Sequence, residues 1–172
     1  AVQLTGHGFV ADVSVETLSL TTVGNWKTGS RINLEKAMQA SDRFGGHIVS
    51  GHVDGIGEVV SLHEDARSWR FRIRAPRGLA KYIAHKGSIT VDGTSLTINK
   101  VEGSEFELNI VPHTMTHTVM GDYQVGTQVN LEVDLVARYL ERLVLGDAAA
   151  DANSGNSGLS LAMLAEHGFL RG

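Results

Sequence analysis

Two histidines five residues apart, His47 and His52, lie in a glycine-rich stretch that spans residues 45–55. An imidazole titrates near neutral pH, so each ring is suited to act as an acid, a base or a metal ligand. Glycine allows backbone conformations that other residues avoid. The stretch is therefore predicted to be both a hinge and a wall of an active site. A structural histidine at a glycine joint is the alternative interpretation.

Two hydroxyl side chains, Ser95 and Thr97, follow the turn sequence Asp92-Gly93. They share one face of a predicted strand because successive strand side chains alternate. Paired hydroxyls can hold a polyhydroxylated or heterocyclic ligand through hydrogen bonds without adding charge. Ordinary surface hydroxyls on a strand are the competing interpretation.

The composition of the chain narrows the classes of protein to which it can belong. Its 172 residues are 42% hydrophobic and 20% charged, with a net charge of −4 and no cysteine. The acidic balance argues against nucleic-acid binding, which needs a basic surface. No apolar run is long enough to span a membrane, and the first residues lack the pattern of a signal peptide. We expect a soluble cytoplasmic protein that binds neither nucleic acid nor membrane.

An internal repeat organises the chain. Between residues 9 and 35, eight residues are identical to the residues 97 positions later, with no gap. The identical pairs are Phe9/Phe106, Thr17/Thr114, Thr21/Thr118, Gly24/Gly121, Gly29/Gly126, Asn33/Asn130, Leu34/Leu131 and Glu35/Glu132. Agreement at one fixed offset indicates duplication. The offset places the counterparts of residues 55–97 ahead of Ala1, so we expect the chain to begin inside its first repeat.

Short strands separated by frequent turns predict an all-β fold, with one small antiparallel barrel in each repeat and the first barrel incomplete. A helical or turn segment is predicted at residues 16–24. The strands are expected at residues 9–15, 30–35, 55–62, 69–74, 88–91 and 95–99.

The end of the chain is predicted to be helical. One helix begins at Asp134 as N-cap and stops at Gly146. Residues 147–158 are small and polar and predict a linker. Residues 160–168 predict a short helix that docks on another surface, because two isolated turns are marginal in water. A partner subunit is one candidate for that surface. The predicted domains are residues 1–45, 46–146 and 147–172.

The two repeats differ at positions that bear on chemistry. His113 and His117 are four residues apart, but their counterparts are Glu16 and Leu20 and no cysteine or carboxylate cluster completes a metal site. We therefore expect no metal. Asp134 is suited to cap a helix, whereas its counterpart Ala37 is not. A polar set in only one repeat suggests a division of labour between them.

Taken together, these segments resemble the riboflavin synthase family over nearly the whole chain. The glycine-rich stretch at residues 45–55, with its two histidines inside a duplicated chain, is the most specific feature. The other matching motifs are Asp92-Gly93-Thr94-Ser95-Leu96-Thr97, Val111-Pro112-His113-Thr114 and Val129-Asn130-Leu131-Glu132-Val133-Asp134.

The resemblance implies two tandem six-stranded Greek-key barrels and a C-terminal helix that helps to assemble a homotrimer. It implies a transferase that converts two molecules of 6,7-dimethyl-8-ribityllumazine into riboflavin and 5-amino-6-ribitylamino-2,4-pyrimidinedione by moving a four-carbon unit. No cofactor takes part. One lumazine would occupy each barrel, the productive pair would form between neighbouring subunits, and an association with lumazine synthase is a further possible partnership.

The resemblance also implies roles for particular residues. His52 would assist proton transfer, Ser95 and Thr97 would contact the substrate, and Asp134 would support the site or the ribityl chain. The remaining substrate-binding residues would be His47, Gly51, Lys86 and Thr114 in the second repeat and Glu16 and Thr17 in the first.

Two departures from the family pattern stand out. His113 occupies a position where the family commonly has glutamate. The family's N-terminal Phe-Thr-Gly segment and its polar and cysteine residues near the end of the first hairpin are not in the chain. Two other functions compete with the enzyme: a non-catalytic lumazine- or flavin-binding protein of the same fold, and a plain assembly protein.

Overall fold

The computed structural model describes residues 2–39, 41, 43 and 45–150. The first repeat contributes a short hairpin, strands β1 (Gln3–Thr5) and β2 (Gly8–Val10), followed by helix α1 (Val15–Leu20) and a 3₁₀ helix (Thr22–Asn25). The helical segment predicted at residues 16–24 is therefore confirmed.

Two strand predictions in the first repeat are wrong in extent or in kind. Of residues 9–15, only Phe9 and Val10 belong to a strand, and residues 30–35 form none. A strand needs hydrogen-bonded neighbours. The repeat counterpart of residues 30–35 has two such neighbours in the second repeat, whereas no described strand pairs with residues 30–35 themselves.

Six strands of the second repeat close into an antiparallel barrel in the order β3-β4-β7-β6-β5-β8. Their bounds are β3 (Gly55–Asp65), β4 (Ser68–Arg74), β5 (Ser88–Val91), β6 (Thr94–Glu102), β7 (Glu105–Ile110) and β8 (Gln128–Val133). The four strands expected in this repeat are confirmed, although β3 extends three residues beyond the predicted end at residue 62. Closure leaves no free sheet edge in this barrel.

Alternating apolar residues fill the barrel. Those with no exposed surface include Val59, Phe71, Ile73, Ile89, Val91, Ile98, Leu108, Val129 and Leu131. Burying a side chain of this size stabilises a fold by about 1.5–3 kcal/mol. The turn between β5 and β6 is tight because Asp92 and Gly93 both adopt positive φ, 43° and 80°, as a two-residue hairpin turn requires.

The local conformation repeats at the same offset as the sequence. Helix α2 (Pro112–His117) and the 3₁₀ helix Val119–Asp122 each lie 97 residues after their counterparts in the first repeat. Thr21 and Thr118 cap the two 3₁₀ helices with φ of −128° and −127°. Their hydroxyls donate to the carbonyls of Thr17 and Thr114 at 2.6 and 2.7 Å. The duplication thus extends to the hydrogen bonds that end each helix.

Helix α3 (Leu135–Leu145) follows the barrel directly and confirms the predicted helix. The Asp134 carboxylate accepts from Val136 N at 2.9 Å, and Gly146 ends the helix with φ of 52°. Residues Gly146–Ala150 form a 3₁₀ helix. The second predicted helix, at residues 160–168, lies outside the described residues. None of the helices in the described part of the chain is long and apolar enough to cross a membrane.

Candidate functional site

A cavity of about 890 Å³ lies between the helical segment of the first repeat and the second barrel. Four of the predicted site residues line it: Glu16 and Thr17 from α1, and Gly51 and His52 from the glycine-rich stretch. The two pairs are at least 34 residues apart in sequence, so only the fold brings them together. Ligand sites for small molecules are typically cavities of this size with a few convergent polar groups.

The first-repeat wall of the cavity is held by local hydrogen bonds. Ser14 caps α1, where its hydroxyl accepts from Thr17 N at 3.0 Å and lies 2.9 Å from Thr17 Oγ1. The Thr17 carbonyl in turn accepts from Thr21 Oγ1. These bonds fix the first turn of α1, which presents both Glu16 and Thr17 to the cavity.

Asp92 is at the centre of a polar part of the cavity wall. One carboxylate oxygen accepts from Asn130 N and Asn130 Nδ2 at 2.8 and 2.9 Å, and the other accepts from the Tyr123 hydroxyl. Burial, together with the Asp92 charge, raises the pKa of Tyr123, so the phenol stays protonated and remains a donor. This part of the wall is therefore a preorganised network in which both Asp92 carboxylate oxygens accept hydrogen bonds.

Residues 46–54 cross the outer face of the second barrel, and we refer to them as the strap. His47 lies across β5 and β6, with Nδ1 2.7 Å from Ser95 Oγ and Nε2 3.3 Å from Thr90 Oγ1. Both ring nitrogens therefore have partners, which agrees with a structural role for this histidine. His52, in contrast, is exposed and lines the cavity, which suits a group that reacts with a ligand.

Ser95 and Thr97 lie on the outer face of β6 and Lys86 lies just before β5, and none of the three lines the cavity. Ser95 is half-buried beneath the strap, whereas Thr97 is exposed. Lys86 precedes β5 with φ of 63°, is exposed, and donates its backbone N–H to the Ile98 carbonyl at 2.8 Å. These positions form a separate polar strip rather than part of the cavity wall.

Thr114 and Asp134 also lie outside the cavity. Thr114 is half-buried on α2, at the position that Thr17 occupies in the first repeat. Asp134 caps α3. The structure thus divides the predicted residues into a set from both repeats that lines the cavity and a second-repeat set that lies outside it.

His113 and His117 stack on exposed α2 with ring centroids 3.9 Å apart, and His117 Nδ1 lies 2.9 Å from the His113 carbonyl. Within residues 2–39, 41, 43 and 45–150, no group of three or more His, Cys, Asp or Glu is placed to hold a metal ion.

Several residues that build the site were not predicted. Asn33, Asn130, Asp92 and Tyr123 all line the cavity, and Glu132 holds the strap. The sequence contained one indication that some of these residues matter, because Asn33/Asn130 and Glu35/Glu132 are identical pairs at the repeat offset. Identity alone could not show which groups they contact.

Comparisons with known proteins agree with this geometry. Residues 50–134 match the family model described as "Lumazine binding domain". The chain is 50% identical to riboflavin synthase of Photobacterium phosphoreum over 98% of its own length and 76% of that protein. It is 45% identical to riboflavin synthase of Actinobacillus pleuropneumoniae over 94% of its length and 74% of that protein. It therefore spans about three quarters of the length of these curated relatives.

A solved structure shares the fold. The crystal structure of LumP complexed with 6,7-dimethyl-8-(1'-D-ribityl) lumazine matches with a TM-score of 0.62 and 20% identity, over 73% of this chain and 72% of that chain. The closed barrel and the matched family model place the chain among proteins built from lumazine-binding barrels. Its identity to the two curated enzymes is more specific: the chain belongs to the riboflavin synthase family.

Proposed function

We propose that this chain converts two molecules of 6,7-dimethyl-8-ribityllumazine into riboflavin and 5-amino-6-ribitylamino-2,4-pyrimidinedione. The observation that carries the proposal is the cavity, where Glu16 and Thr17 of one repeat meet Gly51 and His52 beside the next. Membership of the riboflavin synthase family and the lumazine-binding match support the substrate. The enzyme is a transferase, since a four-carbon unit passes from one lumazine to the other.

The chemistry requires little more than position and a mild base. The 7-methyl protons of the lumazine are acidic because the ring delocalises the resulting anion. Holding two substrates in a reactive orientation can therefore supply much of the lowering of the barrier. In the proposed mechanism His52 exchanges a proton with the lumazine in the cavity, and Glu16 and Thr17 orient that molecule.

The second lumazine is proposed to bind at the second barrel. Ser95, Thr97, Lys86 and Thr114 would contact it, and Asp134 would support the site or the ribityl chain. The structure leaves Thr97 and Lys86 exposed and open to a ligand. Ser95 already bonds His47, so a ligand would have to share or displace that contact. His47 would then border the substrate through Ser95.

We also propose a homotrimer. Support among the described residues comes from α3, where Val136, Tyr139, Leu140 and Leu143 are 50–77% exposed. Their spacing places them on one helix face, a pattern typical of helices that pack against another helix. Analytical ultracentrifugation of the chain and of Leu143→Glu tests this, with loss of the trimer expected in the variant.

Three further proposals rest on the sequence. Residues 1–45 and 46–146 are the two lumazine-binding units, and 147–172 hold the linker and a trimerisation helix. The protein acts in the cytoplasm, and it associates with lumazine synthase.

The main proposal is tested by incubating the protein with purified 6,7-dimethyl-8-ribityllumazine and measuring both the lumazine consumed and the riboflavin formed. We expect riboflavin at half the molar amount of lumazine consumed. His52→Ala should lower kcat about ten- to a hundredfold, at or below the lower end of general acid–base effects because the protons removed are already acidic. His63→Ala, an exposed histidine on β3, is the matched control and should leave kcat unchanged. Lumazine binding without riboflavin would instead indicate a non-catalytic binding protein.

A further inference from the structure

Glu132 is a buried carboxylate whose charge no mechanism above has used. It lies on β8 with only 6% of its surface exposed. Its neighbours Leu131 and Val133 point into the barrel core, so the Glu132 side chain points outward, toward the strap. A buried charge is costly unless polar partners replace the lost water.

Among the described residues, the side-chain partners of Glu132 are two adjacent residues of the strap. One carboxylate oxygen accepts from Ser50 N at 2.7 Å and Ser50 Oγ at 2.6 Å, and the other accepts from Gly51 N at 3.2 Å. No lysine or arginine of the described residues forms an ion pair with it. A carboxylate held by neutral donors binds them tightly, because hydrogen bonds to a charged acceptor are stronger than neutral ones.

A second anchor holds the strap on the other side of His52. The Asp54 carboxylate accepts from Val133 N at 2.6 Å, and Asp54 N donates to the Leu131 carbonyl at 2.8 Å. Only His52 and Val53 lie between the two anchors, and both line the cavity.

The backbone between the anchors is set by the first of them. Gly51 adopts φ of 78°, a left-handed conformation that redirects the chain immediately before His52. Because the Glu132 carboxylate accepts the N–H of this glycine, it fixes the residue at which the chain turns toward the cavity.

We propose that Glu132 is a positioning residue, which clamps Ser50 and Gly51 so that the His52 imidazole is held toward the substrate in the cavity. The proposal rests on the proposed function, because it assumes that His52 exchanges a proton with the lumazine. Glu132 itself lies beneath the strap and makes no contact with the substrate in this mechanism.

A double-mutant cycle on lumazine turnover tests the proposal. Glu132→Gln keeps the shape of the side chain but removes the charge and one acceptor, so kcat should fall about tenfold, close to the lower bound for the loss of one hydrogen bond to a charged group. KM should change less than about threefold, since the substrate contacts remain. In the His52→Ala background the same substitution should lower kcat less than about twofold, because residues that act as a unit are not additive.

Amide hydrogen exchange provides a readout that does not depend on activity. In Glu132→Gln the Gly51 amide should exchange at least about tenfold faster than in the unsubstituted chain, because it loses a charged acceptor. Glu107→Gln is the matched control: this carboxylate is also well covered and bonded, to Arg72 at 2.5 Å, but lies on β7 away from the strap. It should change neither Gly51 exchange nor kcat.

Two results would overturn the role of Glu132. One is an equal loss of kcat with and without His52, since Glu132 would then act on the barrel as a whole. The other is unchanged exchange at Gly51. Full activity of His52→Ala would overturn the proposed function of His52 instead, and Gly51 exchange would still decide whether Glu132 fixes the strap.

Discussion

A methyl group at position 46 would occupy the space now taken by the Ser95 side chain. An added Cβ on Gly46 would lie 2.2 Å from Ser95 Oγ and 3.0 Å from Ser95 Cβ. Gly46→Ala must therefore displace Ser95 and break its contact with His47, and it should lower the free energy of unfolding by about 1–3 kcal/mol. Urea unfolding measures this. Gly45→Ala meets no atom within 4 Å and should cost much less; an equal cost at both glycines would contradict the steric argument.

For individual residues, the sequence predicted which side chains could react better than it predicted which groups they contact. Two histidines beside glycines indicated a reactive site, and His52 does line the cavity. Nothing in the sequence distinguished it from His47, whose two ring nitrogens are engaged by Ser95 and Thr90. The clamp on Gly51 was equally hidden, because Glu132 is 81 residues away in the chain.

Helix α3 is attached to the barrel by a charged contact with a pH dependence. Glu141 accepts from both Lys81 and Tyr82 of the 3₁₀ helix Arg77–Tyr82. Burial raises the pKa of Glu141, but these two hydrogen bonds outweigh it, and the pKa lies below its ordinary value of 4.5. A carboxyl with a lowered pKa stabilises the folded state above its ordinary pKa and loses that contribution as pH falls through the lowered value.

We therefore expect the α3 amides to exchange slowly at neutral pH and to lose protection in acid. Glu141→Gln should weaken the attachment by about 1 kcal/mol at neutral pH and abolish this part of the pH dependence. Hydrogen exchange at several pH values measures both effects. Glu64→Gln, an exposed carboxylate on β3, is the control. If the α3 amides of Glu141→Gln still lose protection in acid, a group other than Glu141 causes that loss.

Element prediction succeeded where the element carries its own determinants. The β5–β6 hairpin follows from Asp92-Gly93, and α3 follows from Asp134 and Gly146. It failed for residues 30–35, whose composition suits a strand as well as that of β8 does. The difference lies in the neighbouring strands, and sequence pattern within a segment cannot show whether those are present.

Across the whole molecule, the two repeats cap each other's 3₁₀ helices. Asn33 Oδ1 accepts from Val119 N at 2.9 Å, and Asn130 Oδ1 accepts from Thr22 N at 2.7 Å. The two bonds are equivalent under the 97-residue offset, so each repeat fixes the helix start of the other. Identical asparagines were visible in the sequence, but the exchange between repeats was not.

The side-chain amides of the two asparagines donate to different acceptors, and this difference leads to a prediction. Asn130 Nδ2 donates to an oxygen of the Asp92 carboxylate, whereas Asn33 Nδ2 donates to the Asp92 carbonyl. Asn130→Asp therefore sets two carboxylates against each other in a covered site and should cost about 2–3 kcal/mol of unfolding free energy, against about 1 kcal/mol for Asn33→Asp. Adding Asp92→Asn should restore part of the stability of Asn130→Asp, because it removes one of the two charges while the amide oxygen still accepts from Tyr123. The recovery is incomplete because an amide that donates to the residue 130 side chain also faces the residue 130 backbone N–H, which the carboxylate accepted. Urea denaturation of Asn33→Asp, Asn130→Asp, Asp92→Asn and the variant that combines Asn130→Asp with Asp92→Asn measures these costs and the coupling. If Asn130→Asp costs the same with Asp92 or Asn at position 92, its cost does not come from the two facing carboxylates.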